Sequence, residues 1–300
     1  MDICIFCSSR REVTYSLNGS SISYCRCCNT SGVSHLPSES EINNFYQGFN
    51  FQTDLCNYDL IATPAIKEWL HGFDLPQNAK MLDVGGGGGF FAKAFQEFGF
   101  GESTYVDLDS GACDFAKDQM ELERVICDSV ENGDNYFKGQ KFDFIYCRHV
   151  VEHLVNPAQL IMQCAELLSE KGTFIVQCPN GLSKEGLLYP RYWMKFLRKT
   201  KCSNNWSWPR TCLFSLTKKY GWGLDPMRHL WAISGAGIQH LFKDQEEYVV
   251  NVRSASLADK VYSPYWRTTG YFKRWIAKLA RFCSKQFGLG MHLVVEIRRK

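Results

Sequence analysis

Residues 81–91 read MLDVGGGGGFF, five consecutive glycines between a short apolar run and two phenylalanines. A flexible linker of this kind comes with Ser, Pro or charged neighbours. Here the apolar strand signal KMLDV (80–84) leads in, and the apolar helix signal FFAKAFQEF (90–98) follows at once. A glycine-rich strand-to-helix turn lets backbone approach a ligand closely and aims helix N–H groups at it. The stretch therefore reads as a ligand-binding turn. No Gly-Lys-Ser/Thr follows, which excludes a P-loop, and Phe90 and Phe91 stand where GxGxxG needs its last glycine. A shifted register, Gly87-x-Gly89-x-x-Ala92, satisfies the looser GxGxxA form. GxGxG fits directly as Gly85, Gly87 and Gly89, preceded by Asp83.

Outward from this turn, strand and helix signals alternate. STYVDL (103–108), RVICD (124–128), FDFIYC (142–147) and TFIVQC (173–178) read as strands, with GACDFAKDQM (111–120) and NPAQLIMQCAELL (156–168) as helices between them. That rhythm predicts βαβ units and a parallel sheet covered on both faces. It breaks after Pro179: residues 181–245 are aromatic and basic, with helical pieces and no clear strand. EEYVVNVRSAS (246–256) and MHLVVEIRR (291–299) read as two more strands, the last two of seven and antiparallel. Before the turn, residues 41–71 carry a helical pattern with Gly72 near its end, and SHLPSESE (34–41) reads as a linker.

Composition sets the bounds. The chain has 300 residues, 45% hydrophobic and 22% charged, which suits a globular protein and argues against wholesale disorder. The net charge of +3 does not demand a nucleic-acid partner. No stretch reaches the length of a transmembrane helix, and MDICIFCSSRR lacks the pattern of a signal peptide, so the chain is expected to be cytoplasmic. In that reducing compartment its fourteen cysteines do not form a disulfide framework. Nine are scattered, several of them in or beside apolar runs, where a free cysteine serves as a small core residue.

DVGGGGGFF, YVDLDS, ICDS and KFDFIYCRHVVEHL together resemble the motif series of class I S-adenosylmethionine-dependent methyltransferases, strongly over residues 79–180 and weakly over 225–300. The resemblance implies a seven-stranded, mostly parallel, doubly wound α/β sheet of Rossmann-like type. It implies that Gly85, Gly87 and Gly89 form the turn against the cofactor's methionine and ribose, with Asp83 fixing the loop. Asp107 would accept both ribose hydroxyls, a task that suits an acceptor-only carboxylate, and Asp109 competes for it. Asp128 would accept from the adenine amino group while the Ser129 N–H meets the ring. Cys147 would offer its carbonyl to the cofactor's ammonium.

Five cysteines crowd into the first 28 positions. Cys4-x2-Cys7 and Cys25-x2-Cys28 are two pairs separated by 17 residues around a hairpin signal, the spacing of a four-thiolate structural zinc site. Cys27 is an alternative to Cys28. YCRCCNT resembles the second knuckle of zinc ribbons attached to methyltransferases of sugar-modifying pathways, with Asn29 where glycine often stands; Asn also tolerates a left-handed turn. The expected division is a zinc ribbon at 1–35, a linker and helical lead-in at 36–78, and a methyltransferase domain at 79–300. Substrate-side insertions are expected at 181–245 and 257–288.

Transfer of a methyl group from a sulfonium needs positioning, plus a base when the acceptor is a hydroxyl. HVVEH (149–153) matches the His-x-x-Glu-His spacing of some zinc peptidases, but the resembling methyltransferases carry Glu-His-Leu here without metal. His153 either faces the acceptor or caps its helix. His229, in DPMRHLWAIS (225–234), resembles an acceptor-bordering histidine of sugar and lipid methyltransferases and is the preferred base or acceptor contact. Residues 265–287 mix Phe272, Trp275, Ile276, Leu279 and Phe282 with lysines and arginines. This is the composition of an interfacial helix, or equally of a helix packed on its own domain. The expected function is O-methylation of a sugar, glycan or lipid-linked small molecule, with a peripheral contact at the inner membrane face as an option. An RNA methyltransferase and a non-catalytic module are the alternatives. Nucleic acid is disfavoured because residues 1–40 balance Arg10, Arg11 and Arg26 against Asp2, Glu12 and Glu39, and CRHV replaces the N/D-P-P-Y/F tetrapeptide of base-methylating enzymes.

Overall fold

Apolar runs without polar alternation, such as Met81–Val84 and Phe144–Cys147, become strands buried on both faces. The computed structural model describes residues 3–38, 41, 57–132, 136–137, 139–217, 223–226, 228–266 and 271–300. Its strands are β1 (Arg11–Leu17), β2 (Ser20–Cys25), β3 (Ser31–Val33), β4 (Ala79–Val84), β5 (Gly101–Asp107) and β6 (Val125–Cys127). β7 (Phe142–Arg148), β8 (Leu168–Pro179), β9 (Trp231–Ala232), β10 (Tyr248–Ala255) and β11 (His292–Arg299) follow. Seven of them form one sheet in the order β10-β11-β8-β7-β4-β5-β6.

β4 pairs in parallel with β5 on one side and β7 on the other. The chain therefore winds outward in both directions from β4, and the glycine turn that ends β4 lies at the switch point of the sheet. That is where α/β folds open a crevice for ligands. β11 is antiparallel to both β8 and β10. β10 thus runs with the parallel set and β11 alone is reversed, so the last two strands are antiparallel to each other, as expected.

Alternate residues of each central strand face opposite layers. Met81, Phe144 and Tyr146 join one buried cluster; Leu82, Ile145 and Cys147 join the other. The first layer holds the helices Phe90–Glu97 and Ser110–Asp118 and the lead-in helix Pro64–His71. Trp69 of that lead-in helix packs against Phe91, Phe144 and Tyr146 and donates its indole N–H to the Tyr262 hydroxyl at 2.9 Å. Part of the expected 41–71 helix, residues 42–56, lies outside the described residues. Where the pattern is described, Thr63 caps Pro64–His71 by accepting the Ile66 N–H.

The N-terminal strands form a second, smaller sheet ordered β1-β2-β3-β9. Asn18 and Gly19 turn the β1–β2 hairpin with φ of +48° and +82°, the signature that the Asn-Gly pair allows. β9 was not expected, because a two-residue strand has no periodicity to read. It comes from the far end of the chain: Gly32 pairs with Trp231, and Ser31 with Ala232. A side chain at Gly32 would sit 2.5 Å from the Trp231 ring, so glycine is what lets the two backbones meet there. Tyr15, Leu17 and Ile22 of this small sheet share one buried cluster with Leu82 and Ile145 of the large one.

Candidate functional site

The glycine turn alternates in conformation as well as in role. Gly85, Gly87 and Gly89 have φ of +64°, +55° and +70°, a region costly for residues with a Cβ; Gly86 and Gly88 do not. A Cβ on Gly85 would also sit 2.3 Å from Val150, whereas the space before Gly87 is open within 4 Å. Gly89 caps the helix Phe90–Glu97, so free N–H groups of that helix face the turn.

Three side chains hold the turn. The Gly87 N–H donates to Asp107 Oδ2 at 2.9 Å, and the Asp109 N–H donates to Asp107 Oδ1 at 3.0 Å. The Tyr105 hydroxyl donates to the Gly87 carbonyl at 2.6 Å. Asp83 is buried and accepts the Ala92 N–H at 3.2 Å; burial, then the charge of Asp107, pushes its carboxyl up to about 7. Burial also raises the Asp107 carboxyl, opposed by the two N–H donors. Each of its oxygens keeps a second lone pair for a ligand. Asp109 is occupied otherwise: it caps Ser110–Asp118 by accepting the Ala112 N–H at 2.6 Å. Tyr105 was missed from sequence because it looked like one more apolar strand residue.

Asp128 follows β6, whose Cys127 registers opposite Asp107. Its half-buried carboxylate accepts from the Tyr136 hydroxyl, from Asn132 at 2.8 Å and from the Ser129 N–H at 2.6 Å, which together hold it below the usual carboxylate range. Both groups expected at the adenine thus face each other, and Ser129 does not point its N–H outward. Cys147 is fully buried in the sheet, registered with Val84 and Val176 and one residue short of the end of β7.

Beyond β7 a second polar cluster forms. His149, with φ of +56°, turns the chain so that its Nδ1 lies 3.0 Å from Glu152 Oε1. Glu152 is 1% exposed, its carboxyl is raised by burial, and its Oε2 has no hydrogen-bond partner among the described residues. His153 Nδ1 donates to the Arg228 carbonyl at 2.7 Å and His229 Nδ1 to the Gly223 carbonyl at 2.6 Å. The two rings meet edge to face at 4.8 Å. Burial holds the His149 and His153 imidazoles low, at about 3 and about 4, so both are neutral near pH 7. The two histidines expected from sequence are thus brought together, and buried Glu152 joins them. The signal for Glu152 was already present in HVVEH.

A third cluster lies in the small sheet. Cys4 and Cys28 Sγ are 3.6 Å apart, Cys7 and Cys25 Sγ 3.4 Å, and all four lie within 4.8 Å of one another. A tetrahedral ion with bonds of ~2.3 Å spaces its sulfurs ~3.8 Å apart, so the set is of the right size for one. Cys27 is exposed and stands apart, 3.8 Å from His240 Nε2. Asn29 has φ of +60°, the left-handed turn expected of it.

The profile of the family described as "Methyltransferase domain" matches residues 58–245. Among curated proteins, a ubiquinone biosynthesis O-methyltransferase of Glaesserella parasuis is 30% identical over 130 residues, 40% of this chain and 55% of that protein. One of the same name from Coxiella burnetii is 32% identical over 104 residues, 33% of this chain and 43% of that protein. The chain spans about half the length of these curated relatives. Among solved structures, plantazolicin methyltransferase BamL aligns at a TM-score of 0.47 and 14% identity, over 88% of this chain and 91% of that one. With the family profile covering most of its length, the chain belongs to the methyltransferase domain family.

Proposed function

We propose that this methyltransferase acts on a hydroxyl oxygen of a small or lipid-linked acceptor, and that the His153–His229 cluster meets that acceptor. The observation that carries the reading is the contact of His229 Nδ1 with the Gly223 carbonyl at 2.6 Å. A carbonyl can only accept, so Nδ1 donates there and Nε2 is the ring atom left to meet an acceptor hydroxyl. The relatives' name, O-methyltransferase, favours oxygen as the methylated atom and a small molecule as the acceptor. Nothing in those names favours the sugar or glycan expected from the N-terminal cysteines.

On this reading Gly85, Gly87 and Gly89 bring backbone against the cofactor, Asp83 fixes the turn, and Asp107 accepts from the ribose. S-adenosylmethionine supplies the methyl group on a sulfonium. Asp128, Ser129 and the Cys147 carbonyl are the adenine and ammonium contacts, and Asp128 and Ser129 must exchange their local hydrogen bonds to serve. The proposed division keeps a ribbon at 1–35, a lead-in at 36–78 and the catalytic unit at 79–300. Cys4, Cys7, Cys25 and Cys28 are the proposed ligands of a structural zinc, whose bonds would fold a segment too small for a core of its own.

RNA is the weaker reading of the acceptor. Arg11 is buried, with its guanidinium over the Trp231 ring, and Arg26 pairs with Glu12 at 2.9 Å, so the ribbon offers little basic surface. A peripheral membrane contact is favoured by one observation. Ala277, Ala280 and Ser284 face inward from the helix Tyr271–Phe287, while Trp275, Phe282 and Phe287 are exposed beside Lys278, Arg281 and Lys285. No described helix is long and apolar enough to cross a membrane.

The test is His229→Ala against a panel of hydroxyl acceptors. Turnover is expected to fall by ~10²-fold or more while S-adenosylmethionine affinity holds. Wild-type turnover in the variant would remove His229 from the site.

A further inference from the structure

We propose that Arg148 binds a carboxylate of the acceptor beside the glycine turn, so that the acceptor is a hydroxy acid. This rests on the reading of a hydroxyl acceptor and names its class. Arg148 is the last residue of β7. Cys147 registers with Val84, which sets Arg148 level with Gly85, the first glycine of the turn. Alternate strand residues share a face, so Arg148 lies on the face of Tyr146, the residue opposite Asp83. The next residue, His149, contacts Glu152, which lies 3.8 Å from His153 Nε2. Arg148 therefore stands between the turn and the His153–His229 pair.

Its surroundings point to an anion rather than to a structural strut. The side chain is half-buried, and its Nε has no hydrogen-bond partner among the described residues. A guanidinium has five N–H donors, and burying it without acceptors is costly. No carboxylate among the described residues lies within ion-pair distance of it. Asp83 feels its charge, yet burial keeps the Asp83 carboxyl up at about 7, which makes it a poor counter-ion. Gln177, opposite Arg148 on β8, is occupied. Its Oε1 accepts the Tyr146 hydroxyl at 3.1 Å, and its Nε2 donates to the Tyr262 carbonyl at 2.7 Å. Tyr265 gives the guanidinium its hydroxyl and a ring at 5.4 Å, but no charge.

A single guanidinium suits a monoanion, and its planar fork matches the two oxygens of a carboxylate. A phosphate dianion asks for a second cation. The nearby imidazoles do not supply one, because burial, with the Arg148 charge adding to it, holds His149 and His292 low. Tyr265 is 40% exposed, and Trp266 beside it meets the Tyr189 ring at 5.4 Å. Aromatic surface thus continues from the guanidinium and suits an apolar body behind the carboxylate.

The experiment measures binding of 4-hydroxyphenylacetate and 4-methylphenol, which differ only in the carboxylate, to full-length protein saturated with S-adenosylhomocysteine. The wild type is expected to bind the acid at least ~10-fold more tightly, and Arg148→Gln to bind the two alike. Arg148→Lys should keep part of the preference, as a point charge without the fork. Thermal melts report that the variants fold, and a strut alone would not move the ratio between two matched probes. A wild type without the preference overturns the proposal, as does a preference that survives in Arg148→Gln. Loss of S-adenosylmethionine affinity in that variant, with the preference intact, assigns the charge to the cofactor's own carboxylate and also overturns it. If His229→Ala loses turnover while the wild type lacks the preference, the carboxylate falls and the hydroxyl acceptor stands. If the preference holds but the methyl group is found on the carboxylate, as an ester, Arg148 binds the acid and the hydroxyl reading fails.

Discussion

The Leu230 amide donates to the carbonyl of Glu152 at 2.8 Å, and the Leu230 carbonyl accepts from the Val33 amide at 3.0 Å. One residue thus ties the small N-terminal sheet to the polar cluster beyond β7, with His229 adjacent to it. Ser234 extends the tie, since its hydroxyl donates to the Cys28 carbonyl and lies 3.1 Å from Thr30 Oγ1. The cysteine sheet is a buttress for the segment that carries His229, rather than a tethered appendage.

Breaking the cysteine cluster should therefore impair the site from a distance. Cys25→Ser is expected to lower Tm by several degrees and to cut turnover at least tenfold, with S-adenosylmethionine affinity changed little. Trp231→Ala should act alike. It removes a buried ring that touches Phe6 and donates its N–H to the Leu154 carbonyl, at a cost of about 3–5 kcal/mol. Thermal melts and turnover measured on the same samples check this; full turnover in Cys25→Ser contradicts it.

Asp83 makes stability depend on pH. Its folded carboxyl sits at about 7, against ~3.9 in the unfolded chain. Between those values the folded chain holds a proton that the unfolded chain has released, so the contribution is full below pH ~4 and is lost as pH rises through about 7. Asp83→Asn removes the titration and keeps an oxygen for the Ala92 N–H. In urea unfolding without cofactor, the variant's advantage should grow from pH 4 to pH 8, by at most ~4 kcal/mol. An advantage that does not change with pH contradicts the account.

The exposed aromatics of Tyr271–Phe287 predict binding to anionic vesicles. Co-sedimentation should rise with phosphatidylserine content, weaken with salt, and fall several-fold in Trp275→Ser/Phe282→Ser. Binding that ignores lipid charge or the double substitution counts against a membrane role.

Much of this was legible in the sequence where interactions are local. The glycine alternation at 85, 87 and 89 follows from the pattern of one strand-to-helix turn. Asp107 separates from Asp109 because a residue one step before a helix is drawn into capping it. What stayed hidden joins distant segments. β9 has two residues and pairs about 200 positions away, and the partners of Glu152 and His153 lie some 75 residues on. The direction of β10 depends on β11 lying between it and β8, an insertion that no periodicity records.

The central claim is that the glycine turn and Asp107 form one cofactor site, joined by the Gly87 N–H. Calorimetric titration of S-adenosylmethionine into the wild type and Asp107→Ala tests it most directly. One binding site in the wild type and an affinity at least ~30-fold weaker in the variant, about 2 kcal/mol, is the predicted result. Equal affinity in the two proteins would contradict it.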